Sequence, residues 1–302
     1  MPGVKTRPLP IRPFLLKMAR TMLMLLIATS ASLPPEAVLL KQASTQLVQI
    51  IASDPSDARP HLLLGRVYSR AGAPAEAMGE FRIAAADGSL AGLLAEAHQQ
   101  SRLADWSAVL DEATRAQSLA QQSGKAAQEL DALLLEAYAR LGLGRYEQAL
   151  ADCQRIESSP PAPLSRNDRA RLLATKAGAL GLKAQEGGIG ALLTIGPRVK
   201  GVFEQAIAAD PRHALAWYGL GRYYLEAPLF LNNRGEALRC LIRADQLDPG
   251  DINIRSWYLY ALGANGHQNQ EHAGLSAFQS DFADAPIARS LLAKLEAGHA
   301  PK

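Results

Sequence analysis

The stretch "AWYGLGRYYLEAPLF", residues 216–230, places five aromatic side chains in fifteen positions of a 302-residue chain that is only 6% aromatic. It follows "FEQAIAADPRHAL" (203–215) and precedes "GEALRCLIRADQLDPG" (235–250). An Asp-Pro pair closes an Ala/Leu-rich run at Asp54-Pro55, Asp210-Pro211 and Asp248-Pro249. Proline just past a helix ends it, because it has no N–H and its ring clashes with the preceding turn. Eight and five residues before the three prolines stand Leu47 and Ile50, Phe203 and Ala206, and Leu241 and Ala244. Trp217, Leu220, Gly221 and Tyr224 follow Pro211 at six, nine, ten and thirteen residues. Offsets kept between separate segments mark a repeat, so most of these aromatics are packing residues.

The spacing W-x2-L-G-x2-Y, then A-x3-F, then P resembles the tetratricopeptide repeat (TPR), a helix–turn–helix unit of about 34 residues. A second unit begins near Ala58, with Leu64, Gly65 and Tyr68 in its first helix, Gly72 in its turn, and Ala77, Phe81 and Ala84 in its second. A third begins near Gln128, with Leu134 and Tyr138, then Tyr146, Ala149 and Cys153. The last is degenerate: Tyr258, Leu262 and Gly266 fit, and Phe278 and Pro286 fit after a two-residue shift, followed by a capping helix over 287–297. Residues 89–122 read as a divergent helical pair. "SSPPAPLSRND" (158–168) reads as a proline-rich break, with Asn167 or Asp168 capping the next helix.

The fold class expected is therefore all-α, a TPR solenoid over residues 36–298 with about a dozen helices and two long intra-repeat loops. One loop is "QEGGIGALLTIGP" (185–197), between helices at 168–184 and 198–209. The other lies in "EAPLFLNN" (226–233), where Gly221 to Ala237 spans sixteen residues against twelve in the consensus. These insertions make residues 168–250 similar to one TPR subgroup. It contains the trimeric periplasmic subunit of some TRAP-type solute transporters and the microtubule-dynamics-regulator proteins. In that subgroup the second loop usually carries glycines where Asn232-Asn233 stand here.

Ala and Leu dominate the 48% apolar content, which favours helix over sheet. Two cysteines, Cys153 and Cys240, are too few for a disulfide framework and read as buried thiols. The net charge of +3 comes from the first 31 residues, where Lys5, Arg7, Arg12, Lys17 and Arg20 stand with no acid. Removing those five leaves 27 basic against 29 acidic residues, so the body lacks the basic excess of a nucleic-acid binder. Residues 1–31 read as a signal peptide: a basic stretch, about ten apolar residues in "TMLMLLIATSA", then small residues. An uncleaved membrane anchor is the alternative, and it would be the chain's one membrane contact. The localisation expected is exported, with the periplasm as destination.

"GGIGALLTIG" lacks both the GKS/GKT ending of a phosphate loop and the GxGxxG spacing of a dinucleotide turn. His267 and His272 are five apart, not the four of a metalloprotease pair. No catalytic, cofactor-binding or metal-binding residue is expected, and no enzyme activity. The TPR resemblance implies a partner-binding groove lined by first helices. Its positions select Arg59, Arg66, Arg70, Glu136, Arg140, Tyr218, Arg222, Glu226 and Tyr260. Arginines beside tyrosines suit a peptide carboxylate or an acidic segment, because guanidinium presents a forked set of donors. The leading expectation is a non-catalytic exported scaffold or adaptor for a peptide or protein partner, such as an envelope transporter complex; a homo-oligomer is compatible with it. The alternative is a solute-handling subunit that holds a small apolar or anionic ligand, marked by a distinct cavity between the 185–197 and 226–233 loops.

Overall fold

The computed structural model describes residues 36–86, 88–227, 232–283 and 285–301. The chain divides into two compact units, residues 1–42 and 43–302. The targeting segment expected over residues 1–31 lies outside the described residues, as do residues 228–231 of the second expected loop.

The described residues hold fourteen helices and no strand: α1 (Glu36–Ser53), α2 (Ala58–Arg70), α3 (Pro74–Ala85), α4 (Leu90–Arg102), α5 (Trp106–Gln122), α6 (Ala126–Gly142), α7 (Tyr146–Ser158), α8 (Arg166–Glu186), α9 (Gly188–Ala209), α10 (Ala214–Glu226), α11 (Arg234–Leu247), α12 (Ile252–Ala264), α13 (Gln268–Asp281) and α14 (Ala288–Glu296). From α2 onward they pair as α2/α3, α4/α5, α6/α7, α8/α9, α10/α11 and α12/α13, and α14 follows as a single closing helix.

Local chemistry explains the boundaries. Asp57, Ser89, Asp105, Asn233 and Asp251 each accept a backbone N–H from the first turn of the helix they precede, satisfying a donor with no partner inside that helix. The cap of α8 is Ser165, not the expected Asn167 or Asp168. Ser165 Oγ accepts from Asp168 N at 3.1 Å and the Asp168 carboxylate accepts from Ser165 N at 3.1 Å, a reciprocal box that places Asp168 inside the helix.

Two of the pairs close where a glycine lets the helices touch. Gly65 on α2 faces the Phe81 ring, which a Cβ would meet at 2.6 Å. Gly221 on α10 faces Leu241 of α11, which a Cβ would meet at 2.7 Å. The repeat signature and the helical contact thus coincide. Ala77, Phe81, Leu134, Ala149, Phe203, Leu220 and Leu241 are all buried, as the repeat register expects. The C-terminal core gathers Trp257, Phe278, Phe282, Leu291 and Leu295, so the degenerate last pair still packs fully. Burying a Leu or Phe side chain stabilises by about 1.5–3 kcal/mol, which favours these faces over the composition of the linking segments. Cys153 and Cys240 are buried free thiols, and burial raises them to about 12 and about 11.

One expected loop is a helix. Residues 188–197 form the first turns of α9, and the reversal from α8 takes only Gly187 and Gly188, the latter at φ 69°. Pro197 sits inside α9. Proline disfavours the helical conformation of the residue before it by clashes with that residue's N–H and Cβ, and here that residue is Gly196, which lacks the Cβ and so eases the clash. Gly196, Val199, Phe203 and Ala206 are buried at helical spacing, and this tertiary burial offsets the roughly 3 kcal/mol that an interior proline costs.

Contacts distant in sequence then bring the solenoid of residues 43–302 round on itself. Arg102, at the end of α4, donates from Nε to Asp248 Oδ1 at 2.9 Å and from Nη1 to Ser69 O at 3.2 Å. One guanidinium therefore joins the first pair, the second pair and the turn between the fifth and sixth. Leu103 and Ala104 pack on the C-terminal core, with Ala104 holding φ 57° without being glycine.

Candidate functional site: an interior cavity

The coiling forms a half-open cavity of about 560 Å3 within residues 43–302. First helices α6, α8, α10 and α12 contribute Tyr138, Gly181, Arg222 and Trp257; α5 adds Trp106, α9 adds Phe203 and α14 adds Leu291. Small side chains make room for it: Ala174, Ala177, Gly178 and Gly181 recur along one face of α8, at the spacings that keep residues on one side of a helix.

The polar part of the wall is a cluster on α10. The Arg222 guanidinium carbon lies 4.5 Å from the centre of the Trp257 ring and 5.7 Å from that of Tyr218. Its Nη1 donates to Tyr218 Oη at 3.3 Å and its Nη2 to Glu226 Oε2 at 3.1 Å. Residues 218, 222 and 226 follow one another at i, i+4, so a single helix face delivers all three groups. Burial opposes charging Arg222, but the Tyr218 oxygen and the Glu226 carboxylate outweigh it and raise its pKa, so it stays cationic. Burial raises both Tyr138 and Tyr218, so each remains a neutral phenol. Trp106 meets Tyr138 edge to face, with ring centres 5.0 Å apart.

Of the residues selected from sequence, Tyr218, Arg222 and Glu226 line the cavity together. Arg59, Arg66 and Arg70 lie on α2 and stand outside its wall, with Arg66 exposed to solvent. Arg140 is also outside the wall, in ion pairs with Glu136 at 2.9 Å and with Asp152. Glu136 is buried there, and burial raises its pKa despite Arg140. Tyr260 packs on Trp257 with ring centres 5.9 Å apart and does not reach the cavity.

Sequence reasoning does not select Trp106, Phe203, Trp257, Asn253 or Lys294 as site residues. Phe203 reads as repeat packing, and Trp106 lies in the pair without repeat signatures. The aromatic character of both is visible in the chain; the contact across the superhelix is not. Among the described residues, no three His, Cys, Asp or Glu side chains gather as a metal site, and no helix is long and apolar enough to cross a membrane.

This architecture is that of a tetratricopeptide-repeat solenoid. The family model for the tetratricopeptide repeat matches residues 40–91 and 200–250, a similarity that falls on α1–α3 and on the end of α9 through α11. The fold is similar to a thermophilic TPR protein of Thermus thermophilus, at 18% identity and a TM-score of 0.51, covering 69% of this chain and 100% of that one. A TPR protein from Parabacteroides merdae shares 14% identity at a TM-score of 0.47, over 85% of this chain and 92% of that one. The Cut9–Hcn1 assembly of the APC/C shares 15% identity at 0.49, over 93% of this chain and 52% of that one. Comparison with curated proteins finds no match.

Proposed function

We propose that this protein is a non-catalytic scaffold of the cell envelope whose superhelix interior receives a segment of a peptide or protein partner. The observation that carries the reading is the Tyr218–Arg222–Glu226 face beside Trp257: a cation held on aromatic rings in the wall of a cavity. Aromatic and arginine side chains are the residues that most often dominate protein recognition. Export rests on the basic and apolar character of residues 1–31. Cell fractionation with N-terminal sequencing tests it, and a full-length protein in the cytosol would refute export.

The scaffold reading is tested by affinity capture from the native envelope with wild type, Arg222→Ala and Arg66→Ala, followed by calorimetry on the partner found. Arg222→Ala should weaken that partner at least tenfold, while exposed Arg66, outside the cavity wall, should matter little. Equal affinity in all three proteins would remove the cavity from partner binding.

A second reading is a solute-handling subunit beside a transporter, in keeping with the resemblance of residues 168–250. The lining of the cavity favours it: Leu192 and Gly196 from the 185–197 stretch, and Glu226 and Ala227 from the start of the 226–233 stretch, all line one space.

A further inference from the structure

We infer that the tip of the α8–α9 hairpin docks shallowly on a membrane surface that carries anionic lipid. The inference stands apart from both readings of the cavity, because it concerns the outer face of the hairpin and leaves the inner one as described.

Helix α9 runs 22 residues and meets the 13-residue α10 through the short turn 210–213, so its first turns, about 13 Å of helix, extend past that neighbour. Residues 185–190, around the reversal from α8, are all exposed. The inner face of α9 gives Leu192, Gly196, Val199 and Phe203 to the cavity. The outer face of its first turns is apolar: Ile189 is 77% exposed and Leu193, one turn on, is 48% exposed. Ile189 is the most exposed of the large apolar side chains among the described residues. The stretch "GGIGALLTIGP" (187–197) holds eleven residues without a charge. A lone exposed apolar residue is ordinary, whereas two adjacent ones on a charge-free helix end mark a contact surface.

The charges behind this end identify what it meets. Lys183 on α8 and Arg198 on α9 are exposed and form no ion pair with a described residue. Lys200 is taken by Glu204, at 3.5 Å, and by the Tyr224 ring. Glu186, the acid nearest the tip, accepts from Tyr146 Oη at 2.8 Å. Beside Tyr146, exposed Arg145 and Glu147 cancel. Two uncommitted cations therefore stand within three turns of the reversal at Gly187 and Gly188. Long basic side chains of this kind reach the headgroup phosphates while apolar ones enter the acyl boundary, about 5–10 Å deep. A protein partner fits less well, since a stable interface uses about 20–30 residues a side and a bilayer needs no matching shape. No described helix is long and apolar enough to cross a membrane, so the contact is shallow.

Residues 1–31 are themselves basic and apolar, so vesicle binding by the whole protein would not isolate the hairpin. A local reporter does. Both native cysteines are buried, and a Cβ at Gly190 meets nothing within 4 Å. Gly190→Cys thus gives one accessible thiol at the tip for an environment-sensitive nitrobenzoxadiazole label. Gly79→Cys on α3, exposed and equally open, is the control. The probes are vesicles of phosphatidylcholine alone and of phosphatidylcholine mixed equally with phosphatidylglycerol, added to the full chain.

The tip label should brighten, shift to shorter wavelength and be quenched by doxyl-labelled lipid on the anionic vesicles, while the α3 label changes little. The response should favour anionic vesicles by about fivefold or more, the contribution of a single cation near such a surface, and should fade as salt is added. Ile189→Ser with Leu193→Ser should remove the insertion while leaving the helical circular dichroism unchanged. Lys183→Ala with Arg198→Ala should remove the preference for anionic lipid. Should the serine pair fail to fold, the alanine pair decides the point through that preference. A tip label that stays in water on anionic vesicles would overturn the inference, and an equal response on both vesicle types would overturn the anionic lipid. A blue shift that needs only more protein and no vesicles would assign the tip to a second copy of the chain and overturn the membrane contact.

Discussion

Replacing Gly221 with alanine and, separately, Gly79 with alanine isolates the packing that defines a repeat. Both glycines are inside helices, so each substitution gains the same intrinsic term, about 0.8–1 kcal/mol in favour of alanine. Their surroundings differ. At Gly79 on α3 a Cβ meets nothing within 4 Å. At Gly221 a Cβ would lie 2.7 Å from Leu241 Cγ and 3.2 Å from the carbonyl oxygen of Ala237. Leu241 is fully buried and the carbonyl belongs to α11, so neither gives way freely. Overpacking of this kind costs about 1–3 kcal/mol. Gly79→Ala should therefore stabilise its pair by nearly 1 kcal/mol, and Gly221→Ala should destabilise α10/α11 by up to about 2 kcal/mol. A repeat array opens pair by pair, so amide hydrogen exchange on peptides from each pair is the suitable assay. Each 1.4 kcal/mol changes the exchange rate about tenfold where opening is at equilibrium. Exchange should slow in α3 of the Gly79 variant and quicken in α10 and α11 of the Gly221 variant. Equal slowing in both proteins would show that Gly221 is not at the helix contact, and the repeat register would fall with it.

Asp251 caps α12 yet is buried beside Asp248, and burial with that like charge raises its pKa to about 7 despite Arg102. The folded protein then holds a proton that the unfolded chain releases near pH 4, so stability falls as pH rises from about 4 to about 7, by at most about 1.4 kcal/mol per unit from this group. Asp251→Asn, which preserves a capping oxygen, should flatten that slope in urea titrations across pH 4–8; an unchanged slope would show that Asp251 ionises normally. Arg102→Met should loosen the closure of the solenoid at a cost of about 1.5–3 kcal/mol, the value of hydrogen bonds to charged groups, and shift Trp106 emission to longer wavelength. Unchanged emission and stability would mean that the cavity does not depend on this contact.

The repeat itself was legible in the chain because its determinants are short-range. Asp-Pro stops, the leucine–glycine–aromatic spacing and alanine at fixed offsets lie within about 34 residues of one another, and each maps onto one helical contact. Trp217, Gly221, Phe203 and Ala206 therefore announced both the all-α class and the register, and the comparisons bear out that architecture. Even the degenerate last pair was readable through Phe278, because one large buried residue suffices to mark a helix face.

Two features were decided only by tertiary structure. The stretch 188–197 carries the glycines and the proline of a loop, and it becomes helix because its continuation buries Val199 and Phe203 while Gly196, with no Cβ, eases the clash before Pro197. The cavity depends on how far the superhelix turns over several pairs. Nothing near Arg102 in the chain points to Asp248, and nothing near Trp106 points to the walls made by α10 and α12. Each pair adds a small rotation set by side-chain packing, and those rotations accumulate until distant turns meet. The sequence by itself thus determined the repeating unit, because that unit is held by neighbours in the chain. Only the folded solenoid determined that Arg222 lines a cavity and Arg66 faces solvent, because the same repeat position looks inward or outward according to what the coiling brings opposite it.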